Sequence, residues 1–293
     1  MKNVAAIIVT FNRRELLAKN LVNCFNQTKR LDRIFVIDNA STDGTYEYLK
    51  ENGLTDNIIF EYIKLNVNIG GAGGFNTGLK LAFEKGFEFF WMMDDDGCPD
   101  VDSLENLFYA FVLKKDIDIV GPLIYCETQN LTHSKYAVNG IMSENISEIK
   151  KMNFSYPVHP FNGTLIKREV IKKIGFPKKE LFIWGDEQEF RLRWLKNGFK
   201  EATYTKSNYY HPRNKLQFNN YLIFRTPKIA ENRKYLYFRN QAYIFKEYRS
   251  FFYFILSIIW MIFSIVFFER HKIKSLNGIY DGLRSNLSDA KLN

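Results

Sequence analysis

The stretch that decides the fold is FFWMMDDDGCPD at residues 89–100, in which five apolar or aromatic residues run directly into three aspartates. Such a run predicts a buried strand that ends at the edge of a sheet. If the alternation of the strand continues, Asp94 and Asp96 face one side and Asp95 the other. A divalent cation bound between Asp94 and Asp96 would relieve their repulsion, whereas a solvated acidic turn is the alternative.

Short β-rich runs alternate with helically spaced apolar residues on both sides of this strand. The predicted strands are VAAIIVT (4–10), RIFVID (33–38), IIFEYI (58–63), FEFFWMM (87–93) and IDIVGP (117–122). This alternation predicts an α/β fold with a doubly wound, mostly parallel sheet. Ligands of such sheets bind beyond the carboxyl ends of the strands, where the polar motifs of this chain stand.

A glycine-rich segment, NVNIGGAGGFNTG at residues 66–78, lies at a predicted transition from strand to helix. Glycines let backbone N–H groups approach a ligand closely, and a helix N-terminus favours negative charge. The segment is neither a Walker loop nor a dinucleotide fingerprint, because no Gly-Lys-Ser/Thr follows and it does not follow the first strand. It predicts a diphosphate cradle, with a simple tight turn as the alternative.

The second predicted strand ends in VIDNASTDGT at residues 36–45. Its Ser, Thr and Asp residues are typical of a helix cap. Asp38 at the tip of the strand could instead accept hydrogen bonds from a nucleobase N–H or a ribose hydroxyl.

A second acidic group stands in LFIWGDEQEFRLRWLKNG at residues 181–198, where Asp186, Glu187 and Glu189 begin a predicted helix. The helix dipole alone favours negative charge there. The preceding aromatic residues Phe182 and Trp184 could instead form a wall for a sugar ring while a carboxylate takes a proton.

One histidine, His211 in NYYHPRN (208–214), stands in a context suited to metal binding, and Mn²⁺ accepts imidazole beside carboxylates. We interpret the other three histidines as structural.

Length and composition predict one large domain with an appendage. The chain has 293 residues, and its three cysteines have no CxxC spacing, which favours a reducing cytosolic setting. The apolar run near the N-terminus is short and reads as a strand rather than a secretion signal.

The net charge of +9 is concentrated at the C-terminal end, where residues 200–293 carry 16 Lys and Arg against 6 Asp and Glu. The same region contains FFYFILSIIWMIFSIVFF (251–268), 18 residues without a charge. As a helix it would span roughly 27 Å, close to the hydrocarbon thickness of a bilayer. It could cross a membrane, lie in the interface, or form a buried helix or hairpin; nucleic acid is disfavoured as a partner.

Taken in order, the motifs VTFNR, IDNASTDGT, GGAGGF, DDD, WGDEQEF and a late histidine resemble the inverting family 2 glycosyltransferases with a GT-A fold. The pair GGAGGF and WGDE resembles their bacterial galactofuranosyl- and rhamnosyltransferase-like branch. The resemblance covers about residues 3–215.

The resemblance implies roles for individual residues. Asp94, Asp96 and His211 would hold Mn²⁺ or Mg²⁺, and Glu187 would be the catalytic base, with Asp186 as the alternative. The acceptor would contact Trp184, Phe182 and Trp91. The residues assigned to the donor are Thr10, Asn12, Arg13, Asp38, Asn68, Gly70, Gly71, Phe75, Asp94 and Asp95.

These assignments predict an enzyme that moves a sugar, with galactofuranose or rhamnose favoured, from a UDP- or dTDP-sugar to a saccharide or lipid-linked acceptor. Residues 1–218 would form the GT-A domain, and residues 219–293 a basic, aromatic helical region with a membrane-associated segment. The expected location is the cytoplasmic face of a bacterial cell membrane. The alternatives are a nucleotidyltransferase and a catalytically degenerate, membrane-anchored saccharide-binding module.

Overall fold

The computed structural model describes residues 3–127, 131–212, 218–221, 224–227, 229–269 and 272–285. Strands and helices alternate through the first 125 residues, as predicted. The strands are β1 (Val4–Thr10), β2 (Arg33–Asp38), β3 (Phe60–Lys64), β4 (Phe89–Asp94), β5 (Cys98–Pro99), β6 (Ile119–Tyr125), β7 (Leu131–Val138), β8 (Ile141–Asn145), β9 (Phe154–Ser155), β10 (Asn162–Lys167), β11 (Glu201–Tyr210), β12 (Phe218–Tyr221) and β13 (Phe224–Pro227). The helices are α1 (Arg14–Phe25), α2 (Thr45–Glu51), α3 (Gly70–Glu84), α4 (Ser103–Leu113), α5 (Ile146–Ile149), α6 (Arg168–Ile174), α7 (Asp186–Lys196), α8 (Glu231–Tyr248), α9 (Phe251–Phe268) and α10 (Lys272–Arg284).

The main sheet has the strand order β3-β2-β1-β4-β10-β6-β11-β5. Strands β3, β2, β1 and β4 are parallel, and β11 runs parallel to β6. Strand β10 is antiparallel to both of its neighbours, β4 and β6. The predicted doubly wound, mostly parallel sheet is confirmed, with the antiparallel strand β10 inserted near its centre and the short strand β5 antiparallel to β11 at its end.

Strand β1 shows why this sheet is covered on both faces. All seven of its residues are buried. Val4, Ala6 and Ile8 belong to the core on one face, whereas Ala5, Ile7 and Val9 belong to the core on the other. A continuous apolar run is what a strand buried on both faces requires.

The glycine-rich segment forms the start of α3 and lets this helix pack closely on the sheet. A Cβ atom on Gly74 would lie 2.5 Å from Cγ1 of Val9, and one on Gly78 would lie 2.6 Å from Cγ2 of Ile7. Both distances are too short for any side chain. These two glycines therefore serve the packing of helix on strand.

The C-terminal region begins with the antiparallel pair of β12 and β13, and three helices follow within the described residues 231–269 and 272–285. Helix α9 coincides with the apolar segment at 251–268; it has a mean hydropathy of 2.5, and 17% of it is buried within the protein. The low burial of α9 therefore excludes the alternative of a buried core helix, and its single continuous helix excludes a hairpin. By length and composition, α9 is sufficient to cross a membrane. The predicted domain boundary at residue 218 stays a prediction.

Candidate active site

The carboxyl ends of three central strands bring polar residues to one edge of the sheet. Thr10 at the end of β1 pairs with Asp38 at the end of β2. On the other side of β1, Val9 pairs with Asp94 at the end of β4. The candidate active site lies at this edge, as the rule for parallel sheets predicts.

As the alternation predicted, Asp95 points to a different side from Asp94 and Asp96. Strand β4 itself ends at Asp94, and a turn follows. Asp95 turns toward β1 and is 3% exposed. Its Oδ2 accepts a hydrogen bond from Thr10 Oγ1 at 2.7 Å, and its Oδ1 pairs with Arg13 Nη1 at 3.1 Å. Burial raises the pKa of Asp95 to about 6, although Arg13 and Thr10 oppose this rise. Thr10, Arg13 and Asp95 therefore form one linked group.

Asp94 and Asp96 lie together with His211, which follows β11. One ligand atom from each of these three residues lies within 4.8 Å of the others. Nδ1 of His211 lies 2.8 Å from the carbonyl oxygen of Pro212, which can only accept, so this nitrogen carries a proton. Nε2 lies 3.3 Å from Oδ1 of Asp96. This contact needs either a second proton on the ring or a cation shared by the two atoms.

The electrostatics of the group favour a cation. Burial raises the pKa of Asp94 well above its ordinary value, and the charges of Asp96 and Asp95 raise it further. Burial acts in the same direction on Asp96, but hydrogen bonding and charge from His211, together with Arg13, keep its pKa below the ordinary value. Burial lowers the pKa of His211, yet its contact with Asp96 outweighs this and raises it. Two carboxylate oxygens and one imidazole nitrogen suit a divalent cation such as Mn²⁺.

A second acidic pair faces this group from the start of α7. Burial and the charge of Glu187 raise the pKa of Asp186 to about 7. Burial also raises the pKa of Glu187, although hydrogen bonds from the backbone of Phe161 and from Asn162 oppose this. Nδ2 of Asn162 lies 3.2 Å from Oε1 of Glu187. Asp186 can therefore exchange a proton near neutral pH, and the pKa of Glu187 is shifted in the same direction.

Glu189, the third acid of this motif, has a structural role. It is fully buried, and its carboxylate pairs with Arg193 at 3.0 Å and accepts a hydrogen bond from Tyr248 at 2.6 Å.

A cleft of 460 Å³ joins the two acidic groups. Asp94 stands at one side, and Asp186 and Glu187 stand at another. The remaining lining residues are Gly71, Phe75, Phe161, Ile183, Trp184, Gly185, Gln188, Arg233 and Gln241. The structure therefore brings together the predicted metal ligands, the predicted base and part of the predicted donor site.

The predicted aromatic wall is present in part. Trp184 lines the cleft, and its ring meets Tyr237 edge-on with the centroids 6.3 Å apart. Phe182 lines a neighbouring depression together with Asn68, so it does not face the acids.

The assignment of Trp91 to the acceptor is corrected by the structure. Trp91 lies within β4, is fully buried in the core, and donates its indole N–H to the carbonyl oxygen of Gly163 at 2.8 Å. Its ring has no surface that a sugar could contact. The side chains of β4 alternate between two cores, and Trp91 belongs to the one opposite Phe90 and Met92.

Asp38 is also bonded internally. It is fully buried; Oδ1 accepts a hydrogen bond from Ser41 N at 2.8 Å, and Oδ2 accepts one from Tyr62 Oη at 2.5 Å. It shapes the loop after β2 and presents no exposed oxygen to a nucleoside. Asn12 supports the same loop, because its Oδ1 accepts a hydrogen bond from Thr42 N at 2.8 Å.

The remaining donor candidates lie around the start of α3. Asn68 is exposed, and its Oδ1 accepts a hydrogen bond from Gly70 N at 2.8 Å. A Cβ atom on Gly70 would lie 2.1 Å from the carbonyl oxygen of Phe182, so backbone fills that space. Phe75 stacks on Phe161 with the centroids 3.9 Å apart.

The sequence reasoning missed two kinds of residue at this site. Asn162 begins β10 and stands at the same edge of the sheet as Asp94. The argument that placed Asp94 at the site, which concerns polar residues at the ends of strands, could have found it. Arg233, Tyr237 and Gln241 come from α8, and no sequence motif indicated that this helix reaches the cleft.

Comparison with known proteins agrees with this arrangement. The family described as "Glycosyl transferase family 2" matches residues 5–175. Galactofuranosyltransferase GlfT1 of Mycolicibacterium smegmatis is 26% identical over 256 residues, which are 83% of this chain and 83% of that protein. The dTDP-rhamnosyl transferase RfbF of Shigella flexneri is 27% identical over 204 residues, 67% of this chain and 64% of that protein.

A solved structure shows the same fold. GalNAc-T7 with UDP, GalNAc and Mn²⁺ superposes with a TM-score of 0.61 and 18% identity, covering 86% of this chain and 50% of that one. The similarity confirms the predicted GT-A architecture.

Proposed function

The chain belongs to glycosyl transferase family 2, and on that premise we propose that it is an inverting, metal-dependent hexosyltransferase. It moves galactofuranose or rhamnose from a UDP- or dTDP-sugar to a saccharide or lipid-linked acceptor in the synthesis of a cell-surface polysaccharide. The observation that carries the proposal is the cleft in which Asp94, next to Asp96 and His211, faces Asp186 and Glu187. The names of the galactofuranosyl and rhamnosyl transferases among its relatives support the choice of sugar.

Asp94, Asp96 and His211 would hold Mn²⁺ or Mg²⁺. When bound there, the cation supplies Lewis acidity that neutralises the charge of a departing nucleoside diphosphate. Arg13 is placed to keep Asp95 and Asp96 ionised, since its guanidinium lies 3.1 Å and 2.7 Å from their carboxylates.

The acid pair at the start of α7 would carry out the proton transfer. Glu187 accepts the proton of the acceptor hydroxyl while that oxygen forms a bond to the anomeric carbon of the donor sugar. The bond from that carbon to the phosphate oxygen breaks on the opposite face, so the anomeric configuration inverts. Trp184 offers an aromatic face beside this position for a sugar ring.

We further propose that α9 holds the protein at the cytoplasmic face of a bacterial cell membrane. Large apolar side chains along the helix are exposed, among them Phe251 at 79% and Phe267 at 65%. An exposed apolar surface of this length on a soluble protein would be costly in water.

The test is to incubate the membrane-bound protein with a panel of UDP- and dTDP-sugars, Mn²⁺ and a saccharide or lipid-linked acceptor. We expect consumption of one donor and release of a nucleoside diphosphate. Release of pyrophosphate would identify a nucleotidyltransferase instead. Saccharide binding without consumption of any donor would identify a binding module.

A further inference from the structure

The loop that precedes the acid pair, residues 181–185, has an unfavourable backbone. Phe182 has φ 61° and ψ −65°, and Ile183 N donates to the carbonyl oxygen of Leu181 at 2.7 Å. These values describe a classic γ-turn, which is rare and strained for a residue with a side chain. Trp184 also has a positive φ of 68°, and Gly185 follows with 98°. Such conformations persist where surrounding contacts hold them.

A single residue of α8 contacts three carbonyl groups of this loop. Asn240 is fully buried. Its Nδ2 lies 2.8 Å from the oxygen of Leu181, 3.0 Å from that of Ile183 and 2.8 Å from that of Trp184. Its Oδ1 accepts a hydrogen bond from Arg239 Nε at 3.0 Å, which fixes the orientation of the amide. A flipped amide would set an oxygen against three other oxygens.

Close packing fixes the position of α8 relative to the loop. A Cβ atom on Gly185 would lie 2.9 Å from Cδ1 of Ile244 on α8. On the far side of α8, a Cβ atom on Gly282 of α10 would lie 2.1 Å from the carbonyl oxygen of Arg239. Helix α8 is therefore held between α10 and the loop, and Asn240 cannot move away without disturbing both contacts.

We propose that Asn240 is a positioning residue for sugar transfer. By holding the carbonyl groups on both sides of the γ-turn, it fixes where α7 begins and so aims Asp186 and Glu187 into the cleft. It acts on the step that needs the base, not on the binding of the donor. This inference rests on the proposed function, in which Glu187 takes the proton of the acceptor.

The experiment compares the full-length protein with Asn240→Ala, Asn240→Ser and the control Tyr235→Phe. Tyr235 also lies on α8, but its hydroxyl bonds to Asp281 of α10 at 2.6 Å. Removing that bond tests the anchoring of α8 without touching the loop. Asn240→Ser keeps one donor and replaces Asn240→Ala if the alanine variant does not fold.

Three quantities are measured: kcat, the Kd of the nucleoside diphosphate, and the hydrogen exchange of the amides at 181–185. We expect Asn240→Ala to lower kcat at least about tenfold and to speed loop exchange at least about tenfold, while Kd changes less than about threefold. Asn240→Ser should lie between Asn240→Ala and the wild type. Tyr235→Phe should leave kcat and loop exchange within about twofold of the wild type.

Retention of kcat and of loop protection in Asn240→Ala, or in Asn240→Ser where the alanine variant does not fold, would overturn the proposal, and so would an equal loss of kcat in Tyr235→Phe. If the wild type transfers no sugar, the proposed function fails. In that case the hydrogen exchange of the amides at 181–185 still decides whether Asn240 holds the acid pair in place, since that measurement needs no substrate.

Discussion

Nδ2 of Asn162 lies 3.2 Å from Oε1 of Glu187, so a side chain at the start of β10 orients a carboxylate at the start of α7. A carboxylate has about four acceptor sites, so the hydrogen bonds from Asn162 and from the backbone of Phe161 still leave Glu187 able to take a proton from the acceptor. Asp186, one residue earlier, lies deeper, with 9% of its surface exposed. These positions favour Glu187 as the base.

The first prediction compares Glu187→Gln with Asp186→Asn. Glu187→Gln should lower kcat at least about a hundredfold, since general base catalysis contributes on the order of 10²–10⁴. Asp186→Asn should retain more activity, because in this assignment Glu187, and not Asp186, accepts the proton of the acceptor hydroxyl. Steady-state rates with a saturating donor decide between them. Inactivity of Asp186→Asn alone would transfer the role of base to Asp186.

The second prediction concerns the pH dependence of transfer. The hydrogen bond from Asn162 favours the charged form of Glu187 and so lowers its pKa against the effect of burial. In Asn162→Leu that pKa should rise, and the acid limb of kcat against pH should move to higher pH. Asn76→Ala serves as the control, because its amide bonds to the carbonyl oxygen of Pro177. An unchanged limb in Asn162→Leu would contradict the assignment.

The third prediction tests the metal group. Asp96→Ala should lower turnover at least about a hundredfold with the fold intact, since loss of a group that stabilises transition-state charge typically costs ~2.7–4 kcal/mol. Calorimetric titration should also show weaker Mn²⁺ binding. Asp102→Asn is a matched control, because Asp102 is exposed and its side chain makes no capping hydrogen bond. A near-normal rate for Asp96→Ala would rule out the metal role.

The fourth prediction is that, without a divalent cation, the protein becomes more stable as the pH falls from about 7.5 to about 5. Burial raises the folded pKa of Asp94, and that of Asp186 to about 7, so the folded state binds protons that the unfolded state releases. The raised pKa of His211 acts in the same direction, whereas burial lowers the pKa of His159 to about 3 and opposes these groups. Chemical denaturation in EDTA at the two pH values measures the effect. Mn²⁺ should remove most of the difference, and a stability that falls over this range would contradict the prediction.

The fifth prediction concerns the membrane. The wild type should sediment with vesicles that contain anionic lipid, because basic residues such as Arg249 and Lys272 flank the apolar α9. Phe252→Asp combined with Ile259→Asp should reduce the bound fraction severalfold, since both side chains are more than half exposed. Ile58→Asp is the control, because Ile58 is 89% exposed on the loop before β3. Equal binding by all three proteins would exclude α9 as the membrane contact.

The sequence predicted the fold and the acidic groups because both depend on local patterns. Alternation along a strand separates Asp94 and Asp96 from Asp95, and the structure shows that separation. The same alternation also buries Trp91, which was assigned to the acceptor. Asp38 shows a different limit: its bond from Ser41 N is local, but no local pattern indicates that Tyr62, 24 residues away, already occupies its other oxygen.

Contacts between distant segments were beyond prediction for a physical reason. Asn240 and Leu181 are 59 residues apart, and their hydrogen bond depends on how α8 packs against α7 and α10. Helix α5 is not among the predicted elements, yet it forms because Asn145 caps it through hydrogen bonds from Ser147 N and Glu148 N. A short helix of this kind has too few residues to show a period.

The contact of Asn240 with the loop at 181–184 has a consequence for the order in which the protein matures. A ribosome delivers β4 and the turn that carries Asp96 long before it delivers α8. Until then, the nascent chain would contain Asp94 and Asp96 but no ordered acid pair. Catalytic competence would therefore arrive late in translation, once α8 has packed against the loop.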